Sequence, residues 1–227
     1  KSLTLKANSE KDTTNVSFQS GDFNLTLNGT GDIGSIIDKL SQTGNLLTQQ
    51  FIQDSTIHIS AIRPLLPNLD LKIHAQKENP VYNLLQFYKL TFDQLNISAN
   101  TSPEQGISFD ANLLNFMQDT TRIDTINLNI HQDTVGLIYE AQAFKTPYRK
   151  QQPFSANIQG TIGHKSIETE LRYYNGKGET GILLGARLDK EKEGLRLQLF
   201  PENPILAFRP FKLNTDNYIL YRNIKNI

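Results

Sequence analysis

The chain has no cysteine and no tryptophan, one methionine, and no excess of charge of either sign across its 227 residues. Without cysteine there can be no disulfide, no thiolate metal site and no thiol nucleophile. That absence fits an oxidising periplasm as well as a reduced cytosol. Lysine plus arginine and aspartate plus glutamate number 23 each. A nucleic-acid binder needs clustered cations to displace counterions, so this balance argues against one. The one basic cluster, Tyr148-Arg149-Lys150, sits between prolines and reads as a solvated turn. No apolar run approaches the roughly 20 residues that cross a bilayer, and no signal peptide opens the chain. Only 37% of residues are hydrophobic, below the usual globular share, and Asn, Gln, Ser and Thr fill the deficit.

What is present is alternation. Phe23, Leu25 and Leu27 are each separated by a polar residue, and the beat returns at Leu95–Ile97–Ala99 and Ile107–Phe109–Ala111–Leu113. It recurs at Ile126–Leu128–Ile130 and Val135–Leu137–Tyr139–Ala141, then at Ile182–Leu184–Ala186–Leu188 and Leu195–Leu197–Leu199. Successive side chains leave a strand on opposite faces, so period two marks a half-buried strand. Turn chemistry at Asn28-Gly29, Pro67-Asn68, Ser102 to Gly106, Asn175 to Gly178, Glu193-Gly194 and Pro201 to Pro204 separates the runs. Strand starts fall about 8–15 residues apart, the spacing of a hairpin meander. No long helical crossover follows Leu90, which argues against a parallel α/β sheet.

Two stretches break the rhythm. Ile33, Ile36, Ile37, Leu40, Leu47 and Phe51 fall at helical spacing over residues 33–52, with Asp32 as N-cap and Gly44 weakening the middle. Asn79-Pro80 opens a second helix to about residue 89, with Val81, Leu84, Leu85 and Tyr88 on its apolar face. Both are expected to plug an end or side of the sheet as core.

A search for chemistry returns nothing. His58, His74, His131 and His164 are scattered, and His58 and His74 run out of phase with their apolar neighbours. Asp119-Thr120, Asp124-Thr125 and Asp133-Thr134 read as strand-end turns with the carboxylates outward. No hydrolase elbow, zinc-protease helix or phosphate loop occurs. The expectation is a non-enzymatic chain with no metal and no cofactor.

The last third carries a recognisable pattern. Gly181-Ile182-Leu183-Leu184-Gly185-Ala186 precedes a charged turn at Glu193-Gly194. Leu195-Arg196-Leu197-Gln198-Leu199-Phe200-Pro201 then leads into Pro204-Ile205-Leu206-Ala207-Phe208-Arg209-Pro210-Phe211, closing at Leu213 to Ile219. Upstream, Leu95 to Gly106, Asp124-Thr125-Ile126 and Gln132-Asp133-Thr134 fit the same pattern. This resembles the C-terminal region of TamB-like proteins of Gram-negative envelopes, within the AsmA-like group, over most of residues 90–221.

The resemblance implies a curved, gutter-shaped all-β sheet, mainly antiparallel, with an apolar concave face, and the two short covering helices read from spacing interrupt that family pattern. It implies a periplasmic segment excised from a longer protein, with its inner-membrane anchor outside residues 1–227. Its function would be to cradle or conduct phospholipid acyl chains between the membranes, or to support outer-membrane protein assembly with a partner outside this segment. The groove residues expected from alternation are Phe23, Leu25, Leu27, Leu95, Ile97, Phe109, Ile126, Leu128, Ile130, Leu137, Tyr139, Ile182, Leu184, Leu195, Leu197 and Leu199. Two other readings compete with this one. A closed β-sandwich would serve as spacer or adhesion module, and a sugar-binding or enzymatic module could stack a ring on Tyr173-Tyr174 or Tyr88. A cut sheet also has open edges, which predicts edge-to-edge self-association.

Overall fold

The computed structural model describes residues 2–54, 57–133, 136–163, 165–214 and 216–222, with side chains from residue 51 to 54 left out. Val135, Thr134, His164, Thr215 and the Phe51 side chain therefore lie outside the described residues. Strands hold 61% of the chain in a single open, curved sheet.

The first strands are β1 (Leu3–Ser9), β2 (Thr13–Ser20) and β3 (Phe23–Thr30). Helix α1 (Ile33–Asp54), a short α2 (Ile59–Ile62) and one 3-10 turn (Arg63–Leu65) intervene before β4 (Leu69–Ala75). Helix α3 (Pro80–Phe87) and the two-residue β5 (Leu90–Thr91) follow. Then come β6 (Gln94–Ser102), β7 (Gly106–Gln118), β8 (Thr121–Gln132), β9 (Gly136–Lys145) and β10 (Phe154–Gly163). The chain ends with β11 (Ser166–Asn175), β12 (Thr180–Glu191), β13 (Gly194–Leu206), β14 (Arg209–Pro210) and β15 (Ile219–Tyr221). Each main strand pairs antiparallel with the next in chain order, while β5 pairs β7 and β15 pairs β13. Among the described residues no second sheet stands opposite, so the closed sandwich is not the fold.

Three turns expected from sequence are where they should be. Ser102 Oγ accepts from the Gln105 N–H at 2.9 Å in the β6–β7 turn, and Asn175 Oδ1 accepts from Lys177 and Glu179 at 3.0 Å in the β11–β12 turn. Glu193-Gly194 joins β12 to β13, with Gly194 at φ +153°. Two others are corrected. Asn28-Gly29 is strand: Asn28 pairs Asn15, and Gly29 pairs Leu69. A Cβ on Gly29 would lie 2.6 Å from Ile36 Cδ1, so the glycine is there to admit helix α1. Pro201 to Pro204 lies inside β13, where the register against β12 shifts in a bulge between Leu183 and Gly185.

The helices also orient differently from their sequence reading. Asp32 does cap α1, accepting from the Ser35 N–H at 3.0 Å. Of its apolar residues, however, Ile36 is buried at 2% exposure while Ile33, Ile37 and Leu40 are exposed. Thr43 and Gln50, at seven-residue steps from Ile36, are the other buried side chains among those described in α1. Thr43 donates to Leu65 O at 3.4 Å and Gln50 accepts from the His58 N–H at 2.7 Å, which makes their burial tolerable. His58 is thus the residue before α2 rather than part of a strand. In α3, Asn79 accepts from the Tyr82 N–H at 2.8 Å, as its capping role requires. The helix buries Tyr82 and packs Leu85, while Val81, Leu84, Phe87 and Tyr88 are exposed.

Candidate functional site: an open apolar sheet face

Register decides which side chains share a face. Facing residues in antiparallel pairs project on the same side, and a row can be followed from strand to strand. The middle row reads Leu5, Phe18, Leu25, Ile73, Ile97, Ala111, Leu128, Ala141, Ile158, Leu171 and Leu184. Eleven strands contribute, and every residue is apolar. At ~4.8 Å per strand the row runs about 50 Å across the sheet.

Parallel rows flank it. On one side Leu27, Phe109, Ile130, Tyr139 and Leu199 fall in register with Leu71, Ala99, Gly160, Thr169 and Ala186. A Cβ on Gly160 would sit 2.8 Å from Tyr139 Cζ, so the Tyr139 ring lies across β10 and covers the gap in that row. On the other side Leu95, Leu113, Ile126, Ala143, Ala156, Tyr173 and Ile182 align, with Phe23 packed against them. Leu137 and Leu197 join an outer row through Ile162, Ile167 and Leu188, and Leu195 lies beyond it opposite Lys190. All sixteen residues singled out by alternation therefore share one face.

The face is half-covered. At one rim Ile36 of α1 meets Gly29 and Leu69. At the opposite rim Tyr82 and Leu85 of α3 pack with Ala75, Phe92, Phe23, Leu95 and Leu113. Beyond β8 no helix crosses, and Ile158 and Leu199 remain 42% and 40% exposed. At the far end Leu213, Tyr218 and Ile219 fold over Leu197 and Leu199 around a pocket of about 170 Å³. Tyr173, considered above as a sugar platform, is stacked on Phe154 at 5.9 Å and edge-on to Phe208 at 6.4 Å.

Charge gathers at the α3-side rim. Arg122 pairs with Asp124 at 2.7 Å and lies 4.4 Å from the Tyr148 ring centre. Burial pushes the Asp124 carboxyl up, but two hydrogen bonds from Thr146 and the Arg122 guanidinium outweigh it and hold the group below the ordinary carboxylate range. Asp124 is therefore a partner inside β8 rather than a strand-end turn residue, while the 148–150 turn is anchored through Tyr148 and keeps Arg149 and Lys150 exposed, as expected of a solvated turn. Lys145 occupies the apolar-face position opposite Phe154, is only 5% exposed, and belongs to no sequence motif. Its signal was phase: it continues the Leu137–Tyr139–Ala141–Ala143 beat where an apolar residue is due.

A larger cleft, of about 530 Å³, lies on the polar face over β3 to β8. One side of it is an amide row of Asn24, His74, Asn96, Asn112 and Asn127, and Ile73, Ile97, Ala111 and Leu128 also line it, between that row and a second polar one. These groups already satisfy one another: His74 Nδ1 and Asn96 Oδ1 are 2.7 Å apart, Asn112 donates to Asn127 at 2.7 Å, and Asn129 donates to Asp110. The apolar face has no such internal partner, so it is the better site despite its shallower form. Among the described residues no cluster of three His, Asp or Glu side chains is placed to hold a metal ion, and no helix is long and apolar enough to cross a membrane. No family model, no curated protein and no solved structure matches the chain.

Proposed function

We propose that the chain is a non-enzymatic groove segment of a TamB- or AsmA-like periplasmic protein, in which the apolar sheet face cradles or conducts phospholipid acyl chains between membranes. A link to outer-membrane protein assembly, through a partner outside this segment, belongs to the same reading. The observation that carries it is the unbroken apolar row from Leu5 to Leu184. Fully burying each such side chain is worth roughly 1.5–3 kcal/mol, so the row is costly in water and hospitable to a hydrocarbon chain. Acyl chains need no hydrogen-bonding group, which accounts for a site without motifs.

Photocrosslinking tests the reading by parity. Leu128 lies on the apolar row and Asn127 in the amide row behind it. A photoreactive residue at 128 is expected to capture phospholipid in cells, and one at 127 is not. Equal capture at both, or silence at both, would overturn the groove.

The sheet edges bear on partners. β13 carries β14, β15 and the segment between them, where Phe211 N donates to Pro204 O and Leu213 N to Glu202 O. β1 is exposed along its whole length, with Leu3 at 64% and Leu5 at 61%. The Glu10 N–H donates to Thr13 O at 2.8 Å. From that bond the antiparallel alternation turns the backbone groups of Leu3, Leu5 and Ala7 away from β2. In the isolated 227-residue segment, self-association therefore runs β1 to β1 about Leu5, pairing Leu3 with Ala7 of the other copy, and closes as a dimer because the far edge is blocked. Leu5→Pro deletes an outward N–H without touching the β1–β2 ladder. It is expected to abolish concentration-dependent dimerisation in sedimentation while the circular dichroism is unchanged. A wild-type chain that stays monomeric as concentration rises removes the edge proposal.

A further inference from the structure

We propose that Lys145 is an oxyanion-binding group at the rim of the groove, holding the phosphate of an amphiphile whose acyl chain lies on the adjoining apolar rows. The inference rests on the groove reading and adds a headgroup site to it.

Lys145 ends β9 on the apolar face. Its side chain is 95% enclosed, yet its only contact beyond packing is the Phe154 ring, with Nζ 5.9 Å from the ring centre. Among the described residues no carboxylate lies at ion-pair distance from Nζ and no hydrogen bond reaches it. The nearest acid in register, Asp124, is engaged by Arg122 and by Thr146. A cation at 5.9 Å from a phenyl ring is weakly compensated, and Nζ is not among the fully buried polar atoms, so a packed stem holds an accessible ammonium without a counter-charge. An anion arriving at Nζ supplies that counter-charge.

The neighbouring residues set what else the anion should carry. One step inward from Lys145 stand Ala143 and Ala156, paired across β9 and β10, and the next step is Ala141 against Ile158. These three alanines make a shallow trough between Ile126 and Leu128 on one side and Tyr173 and Leu171 on the other. The trough leads from the ammonium to the middle row. A single acyl chain fits such a trough, and its phosphate then falls at Lys145. A phosphate ester on an alkyl chain is the ligand class that uses both features.

The test compares dodecyl phosphate, dodecanol and inorganic phosphate, each titrated below its aggregation threshold onto the full chain and onto Lys145→Gln. The wild-type chain is expected to bind dodecyl phosphate roughly tenfold to a hundredfold more tightly than dodecanol, the range for a hydrogen bond to a charged group. In Lys145→Gln that ratio should fall to near one while dodecanol affinity is unchanged. A ratio between two ligands is insensitive to the folded fraction, so a destabilised variant still reports. An unchanged ratio in the variant, or equal wild-type affinity for the two amphiphiles, overturns the headgroup site and leaves the groove standing. Inorganic phosphate binding as tightly as dodecyl phosphate makes this an anion site without an acyl chain. Failure of both amphiphiles to bind removes the groove and this site together.

Discussion

Tyr82→Ala is expected to cost about 3–5 kcal/mol, the range for emptying a large aromatic site, and to lower Tm by roughly 10 °C for a chain of this length. Tyr82 is 7% exposed and meets Phe92 edge-on at 5.2 Å. Ala75, Phe23, Leu85, Leu95 and Leu113 complete its cluster. Among the described residues only six hydrophobic side chains are buried, because a single open sheet has no second layer. The loss of one of them is therefore felt more than in a sandwich. Phe87→Ala, five residues along the same helix at 79% exposure, is expected to change stability by no more than about 0.5 kcal/mol. Thermal melts of the two variants check both numbers. Similar losses in both would mean that α3 does not anchor the rim as described.

That contrast also marks where the sequence was readable and where it was not. Strand parity was legible because period two leaves no intermediate phase, so one correct residue on a strand fixes the rest. The α3 helix gave no such guidance: Val81, Tyr82, Leu84, Leu85, Phe87 and Tyr88 surround it with apolar surface. What selects Tyr82 is a tether outside the helix. Asp22 accepts from the Gln76 and Glu78 N–H groups and from Asn79 Nδ2, and Asn79 in turn caps the helix at Tyr82. The Asp22 contacts join residues more than fifty positions apart, which no local pattern can report. Helix α1 failed for a related reason, since its buried Thr43 and Gln50 are satisfied by the loop after it. Gly29 was misread as a turn because a glycine that admits a helix and a glycine that reverses a chain look alike in one dimension. Lys145 was visible all along as a charged residue in an apolar phase, and passes unnoticed when sites are sought as motifs.

Leu128→Asp separates an open groove from a core, with a large effect on one observable and a small one on the other. Leu128 lies mid-row between Ala111 and Ala141, so the small neighbours leave its side chain as the local ridge of the track. An aspartate there places a charge in the path of the acyl chain, where each CH₂ kept in water forfeits about 0.8 kcal/mol. Co-purified phospholipid, measured by native mass spectrometry, is expected to fall at least tenfold. Folding is expected to survive, because the new carboxylate on an open face reaches water. Leu66→Asp is the control, since Leu66 is 2% exposed beside the 3-10 turn and its carboxylate would be buried without a partner. That cost is several kcal/mol, a large share of what holds a domain together. The groove reading requires the two variants to part: lipid lost with the fold kept at position 128, and the fold itself lost at position 66. If Leu128→Asp unfolds the chain as readily as Leu66→Asp, the face is sealed as core and has no room for a lipid.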